Sequence, residues 1–263
     1  MVLLSFDIEE FDMPLEYGKS ILFTDQISIS IEGTKAILKL LQKNNIKATF
    51  FSTVVFAQNA PELIQEILND GHEIASHTFY HSKFEISDLK KSKDALEQQT
   101  NKKVNGFRMP RMQPVDENEI FKAGYTYNSS INPTYLQGRY NNFNKPRTYY
   151  YQKGVLQIPA SVTPIIRFPL FWISFHNVPI KIYYWLCRWT LKTDGYLNLY
   201  FHPWEFTNLD QKEKFNFPGY ISKNSGEKMA DRMDAFINKI KKTNYKFVTF
   251  QEFIDKKVAL NDE

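Results

Sequence analysis

The stretch SFDIEEFD, residues 5–12, sets four carboxylates (Asp7, Glu9, Glu10 and Asp12) directly after the apolar run Val2-Leu3-Leu4. Alternate residues of an extended strand share a face, so Asp7 and Glu9 can point to one side. One can then hold a metal ion while the other takes a proton from a water that the ion activates. The chain has five histidines, His72, His77, His81, His176 and His202. Two of them stand four apart in SHTFYH, a spacing that places both imidazoles on one side of a helical turn, where two nitrogens can meet one ion. Thr78 follows the first, so this is not the His-Glu-x-x-His arrangement of zinc-protease helices. Taken singly, the acids read equally well as a solvated turn and the histidines as capping or surface groups.

Two more positions add chemistry. In GFRMPRM, Arg108 sits at a strand end before Pro110, and an arginine beside a carboxylate base holds it ionised and oriented. In YFHPWEF, His202 closes the run Leu197-Asn198-Leu199-Tyr200-Phe201, and a histidine there suits a general acid because its reference pKa lies near neutrality. A surface arginine and a satisfied core histidine are the plain alternatives. Two imidazoles and one carboxylate would leave an ion such as Zn²⁺ with open positions for water and a substrate oxygen.

The elements that must position these groups alternate. Val2 to Ile8, Ile46 to Thr53, His72 to Ser76, Val104 to Arg108 and Tyr125 to Ser129 read as strands. Helical spacing appears from Ser30 to Asn44-Asn45, from Pro61 to Gly71, over Ser87 to Gln99 and over Asp116 to Ala123. Tyr149 to Ala160 suits a hairpin, followed by a helix over Ile180 to Leu191, a strand over Tyr196 to Phe201, a helix over Glu227 to Lys241 and a last strand over Lys246 to Phe250. This alternation predicts an α/β fold with a parallel sheet, open or closed into a barrel, and such sheets carry their chemistry at the carboxyl ends of the strands. Asp7, His77 and Arg108 all fall at such ends. One domain spanning 1–263 is expected, with an apolar insertion near 160–192.

The totals exclude several classes. A net charge of +4, spread over separate lysine pairs, argues against nucleic acid. One cysteine, Cys187, rules out an intrachain disulfide and a thiolate cluster. No basic region precedes the first apolar residues and no run approaches the roughly 18 apolar residues of a membrane span, so the chain reads as cytoplasmic.

SFDIEEF, SHTFYH, FRMP and LYFHP, in this order, resemble the polysaccharide deacetylase (NodB-homology) family, in a divergent Asp-x-Glu branch. The resemblance spans roughly Met1 to Phe206. It implies a deformed (β/α) barrel with about seven parallel strands, a divalent metal, usually zinc, and hydrolysis of an N-acetyl group on an amino sugar. It also implies roles: Asp7 as the base, Glu9, His77 and His81 as metal ligands, Arg108 as the residue that steadies the base, and His202 as the acid. A backbone N–H such as that of Arg111 would hold the oxyanion. The sequence departs from the commonest pattern at Asp7-Ile8-Glu9, where two adjacent Asp residues and a Gly are usual, and at Arg111-Met112, where a Gly is usual. Glu10 is a substitute ligand, and Glu205 is the nearest acid to orient His202.

For the substrate, Tyr135 and Arg139 in the polar stretch Tyr127 to Phe143, and Trp204 beside His202, suit hydrogen bonding and stacking on sugars. The aromatics of the stretch Thr163 to Lys192 read first as core; if exposed, the stretch, flanked by Arg167, Lys181 and Arg188, suits a partner subunit or peripheral contact with a membrane and a lipid-linked glycan. Two other readings stand beside this one: hydrolysis of another C–N amide, such as a formyl group or a ureide, and a non-catalytic carbohydrate-binding relative with a degraded metal site. The sugar, linkage and oligomeric state are left open.

Overall fold

The computed structural model describes residues 1–258. Its strands are β1 (Val2–Ile8), β2 (Thr49–Ser52), β3 (Glu73–Ser76), β4 (Gly106–Phe107), β5 (Tyr127–Asn128), β6 (Tyr135–Leu136), β7 (Tyr140–Asn141), β8 (Tyr150–Gln152), β9 (Val155–Gln157), β10 (Leu197–Phe201) and β11 (Phe247–Val248). One sheet runs β10-β1-β2-β3-β4-β5-β9-β8, with β11 also against β1; β6 and β7 form a separate hairpin. The seven strands from β10 to β9 are mutually parallel, and only β8 runs antiparallel at the edge. The sheet is a curled, largely parallel half-barrel, the deformed (β/α) barrel expected from the motifs.

Strand β1 shows how the barrel is built. All seven of its residues are buried, as a parallel strand covered on both faces requires. Val2, Leu4, Phe6 and Ile8 face the outer helices, while Leu3 packs inside with Phe51, Ala75, Tyr127, Leu156 and Phe250. The inner side therefore rises from apolar Leu3 through Ser5 to Asp7. Strands β9 and β10 do not pair. Asn198 spans the gap instead, donating from Nδ2 to the Ile158 and Pro159 carbonyls at 3.0 Å each, while its own carbonyl accepts the Ser161 N–H at 2.9 Å.

Several boundaries differ from the sequence reading. The second helix runs Phe23–Asn44, not from Ser30, because buried Ile27 extends its apolar stripe backwards. The last strand stops at Val248, and Phe250 opens a short helix, Phe250–Phe253, capped by Thr249. That helix plugs the barrel floor, where the Glu73 carboxylate accepts from Thr49 Oγ1, Tyr127 Oη and the Gln251 N–H. The aromatic stretch is more regular than its prolines suggest. Helices Trp172–Asn177 and Ile180–Asp194 bury Phe175, Tyr183, Cys187 and Leu191, leaving Ile165, Ile166, Ile182 and Trp185 exposed.

The helix Phe23–Asn44 lies against the turn Pro203–Phe206, and Gly33 makes the contact possible. A Cβ at Gly33 would stand 1.9 Å from the Pro203 carbonyl oxygen. Gly33→Ala is expected to cost about 1–3 kcal/mol by overpacking, read as a lower melting temperature, and to displace the turn that follows His202.

Candidate active site

Asp7, Glu9, His77, His81, Arg111, Arg139, His202 and Trp204 line one pocket at the carboxyl ends of the strands. Arg108 lies beneath it, fully buried. Its guanidinium donates to Asp7 Oδ1 at 2.6 Å, Ser5 Oγ at 3.0 Å, and Ser129 carbonyl and Oγ at 3.0 Å each. The Phe51 ring covers its face at 3.9 Å. Four hydrogen bonds and one ring leave Arg108 a single pose, and that pose holds Asp7 by one oxygen. Asp7 Oδ2 faces the pocket, 4.0 Å from His202 Nε2.

Glu9, His77 and His81 converge. Glu9 Oε2 lies 3.0 Å from His77 Nε2 and 3.1 Å from His81 Nε2, yet it is buried with no well-directed hydrogen bond among the described residues. The short contacts and the missing hydrogen bond are reconciled by the other ring nitrogens. His77 Nδ1 is 2.9 Å from the Arg108 carbonyl, and His81 Nδ1 is 2.8 Å from Asp12 Oδ1. Both partners only accept, so both rings carry their proton on Nδ1 and in the neutral form turn bare Nε2 lone pairs toward Glu9. Two lone pairs and a carboxylate oxygen this close repel unless a cation stands among them. The three ligand atoms lie within 4.8 Å of one another. Two imidazoles and one carboxylate, each imidazole fixed from behind, form a donor set that suits a divalent ion. Burial alone would raise the Glu9 carboxyl, but the neighbouring His81, His77 and His202 hold it down at about 2. Burial disfavours the charged His81 ring, but Glu9 and Asp12 outweigh it and raise its pKa.

The two histidines do not share a helical turn, as their spacing suggests. Residues 77–81 are irregular, with Thr78 at φ 67°, and the chain folds back so that the rings stack with centroids 5.9 Å apart. Glu10 is not part of the cluster: Oε2 accepts from Thr53 Oγ1 at 2.6 Å and Oε1 from the His81 N–H at 3.4 Å. Arg111 and Met112, standing where the related motif has Gly, both hold left-handed backbone, at φ 56° and 53°. The Arg111 guanidinium does not reach free into the pocket; it is committed to Asp12, Glu16 at 2.7 Å and the His81 carbonyl at 2.9 Å.

One substrate-facing expectation changes. Tyr135 is 57% exposed and does not line the pocket. On β6 it and Leu136 point to opposite faces, and Leu136 with its cross-strand partner Tyr140 takes the inner one. Trp204 does line the pocket, with His202 stacked on its ring at 4.6 Å and Phe11 at 5.6 Å. Trp172, from the aromatic stretch, lines the same wall.

Two residues that carry no role in the motifs are partners in the site. Asp12 binds His81 Nδ1 and Arg111. His176 places its Nε2 2.8 Å from Glu205 Oε2. Glu205 also accepts the His202 backbone N–H at 2.6 Å and contacts His202 Nδ1 at 3.0 Å, both through Oε1. Burial pushes the Glu205 carboxyl up, but His176 and His202 outweigh it and bring it below the ordinary value. For His202, burial works against the charged ring, and the bond to Glu205 with the charges of Glu9 and Asp7 raises it. Asp7 and His202 thus meet at one pocket, each held from behind by a buried partner, Arg108 for the first and Glu205 for the second.

Residues 17–127 match the polysaccharide deacetylase family model, a range that includes His77, His81 and Arg108 but neither the acidic strand end nor His202. A peptidoglycan-N-acetylglucosamine deacetylase of Bacillus cereus is 41% identical over 51 residues, 19% of this chain and 18% of that protein. Matched segments span only 18% to 27% of the curated relatives' own lengths. Among solved structures, a candidate polysaccharide deacetylase from Mycobacterium smegmatis superposes with a TM-score of 0.68 at 19% identity, over 99% of this chain and 90% of that one. An allantoinase superposes with a TM-score of 0.65 at 14% identity, over 97% and 90%. Over residues 17–127 the chain is thus similar in sequence to the polysaccharide deacetylases, and over nearly its whole length it shares the fold of these solved structures.

Proposed function

We propose that the protein is a metal-dependent hydrolase that removes an N-acetyl group from an amino sugar of a glycan or lipid-linked glycan. The observation that carries this reading is the convergence of two imidazole Nε2 atoms and one buried carboxylate oxygen beside Arg108-held Asp7 and Glu205-held His202. Glu9, His77 and His81 would hold the ion, with zinc the expected metal for this N₂O set. When bound, it would polarise the amide carbonyl and lower the pKa of a nearby water.

The chain's own residues supply the rest. Asp7, fixed by Arg108 through Oδ1, keeps Oδ2 free to take the proton of the attacking water. His202, held at Nδ1 by Glu205, presents Nε2 to the departing nitrogen, which cannot leave as an anion and needs that proton. The Arg111 N–H, on its left-handed turn, is the candidate donor to the oxyanion. Trp172, Arg139 and Tyr140 form the walls against which a sugar would rest. The intact Asp7–Arg108 and His202–Glu205 pairs favour an enzyme over a non-catalytic binder.

Released product tests the reading: zinc-loaded protein is expected to free acetate from N-acetylglucosamine oligomers. Formate release from an N-formyl sugar, or opening of a ureide ring, without acetate release would move the assignment to another C–N bond.

Membrane contact belongs to the same proposal. No helix of the described residues is long and apolar enough to cross a membrane. The outer side of the helix Ile180–Asp194 nevertheless carries Ile182, Trp185 and Trp189 beside Lys181, Arg188 and Lys192, the pattern of a helix lying in an anionic interface. The protein is expected to float with phosphatidylglycerol vesicles and not with phosphatidylcholine vesicles, and Trp185→Glu to reduce flotation at least several-fold. Absence of flotation would remove the lipid-linked substrate from the account.

A further inference from the structure

Glu205 binds two histidines, and only one of them faces the pocket. The carboxylate is fully buried, with Oε1 given to His202 and Oε2 to His176. His176 comes from another element, the helix Trp172–Asn177, and is 1% exposed. Its Nδ1 is buried with no hydrogen-bond partner among the described residues. Trp172 stands edge-on to both rings, with centroids 6.1 Å from His176 and 5.6 Å from His202. A buried imidazole with one idle nitrogen is costlier than an apolar ring of similar size, so packing alone gives no reason for a histidine here.

An ionised carboxylate only accepts, so both imidazoles donate to Glu205. We propose that His176 is a positioning residue for His202, acting through Glu205. The proton between Glu205 Oε1 and His202 Nδ1 can rest on either partner. Donation by His176 to Oε2 stabilises the carboxylate, and this keeps the proton on His202. His202 then presents a charged ring with an Nε2–H toward the pocket, a far stronger acid than the neutral ring. Without the second donor Oε2 would be buried bare, and the proton would move to Glu205. The other ionisable groups around this set include Asp7 and Glu9 on the pocket side, Tyr200 with its ring 6.0 Å from that of His202, Tyr183 from the helix Ile180–Asp194, whose hydroxyl feels the Glu205 charge, and Arg232 from the helix Glu227–Lys241, which donates to the Phe175 carbonyl. The inference rests on His202 being the acid of the proposed hydrolysis.

The test compares His176→Phe, which keeps a ring without the donor, with His176→Gln, which keeps a neutral N–H donor; His176→Leu is a second donor-free variant should the first not fold. Nitrogen-resolved NMR of His202 reads the position of the proton whether or not substrate turns over. The wild type and His176→Gln are expected to show both His202 nitrogens protonated near neutrality, and the donor-free variants a neutral ring. For acetate release, kcat is expected to fall about tenfold in the donor-free variants with KM unchanged, and His176→Gln to recover to within about threefold of wild type. In a Glu205→Ala background, removing the His176 donor should change kcat no further. An unchanged His202 ring in the donor-free variants, or a His176→Gln as impaired as they are, overturns the inference. An NMR response as expected in a protein that frees no acetate supports the coupling and removes the deacetylase reading instead.

Discussion

Asp7→Asn is expected to lower kcat for amide hydrolysis by about a thousandfold, the scale of losing a positioned general base. An amide matches the carboxylate in shape, and its oxygen still accepts from Arg108, so the pocket keeps its form. What it lacks is the basicity that Oδ2 offers to a water proton. The choice of Asn over Ala matters because Arg108 is fully buried. Asp7→Ala would strand that cation, a loss of about 3–5 kcal/mol when one member of a buried pair is removed. The measurement is steady-state kinetics with a thermal melt alongside. A fall of less than tenfold in a folded Asp7→Asn protein would mean that another group is the base.

Removing the ion is the second large effect. A chelator is expected to abolish turnover and lower the melting temperature, with both restored on adding zinc. An ion that binds only the folded chain stabilises it by about 2.7 kcal/mol at a free concentration one hundred times its Kd. His81→Ala should lose both the activity and the metal-dependent part of the melt, since it deletes one of the three proposed ligands. Asp12→Asn is the subtler variant. It leaves every ligand in place but weakens the hydrogen bond behind His81, and a change of about 10–100-fold in metal affinity is expected from such a partner. Titration calorimetry on the two variants separates them: His81→Ala without a binding isotherm, Asp12→Asn with a weaker one.

How much of this site the sequence shows depends on the kind of contact. Asp7, Glu9, His77, Arg108 and His202 are legible because each lies at the end of an apolar run, and parallel strands bring their ends to one rim. The inward side of β1 follows from period two alone. His81 is legible by type but not by geometry, since the left-handed Thr78 replaces the helical turn that its spacing suggested. Contacts made between segments remote in sequence are not legible. Asp12 and His81 are 69 residues apart and His176 and Glu205 are 29 apart, and no local pattern encodes either meeting. Tyr135 is not at the pocket because its hairpin turns it outward, which the polar stretch alone does not encode. Gly33 shows the reverse case, a plain residue whose need appears only when Pro203 is seen against it.

The central claim is that Glu9, His77 and His81 hold one divalent ion beside Asp7 and His202. Anomalous scattering at the zinc edge, from crystals grown with one equivalent of zinc, tests it most directly. The account predicts a single strong peak bonded to Glu9 Oε2, His77 Nε2 and His81 Nε2, with Asp7 Oδ2 and His202 Nε2 facing the remaining coordination sites. A pocket without a peak, or a peak on other ligands, would contradict it.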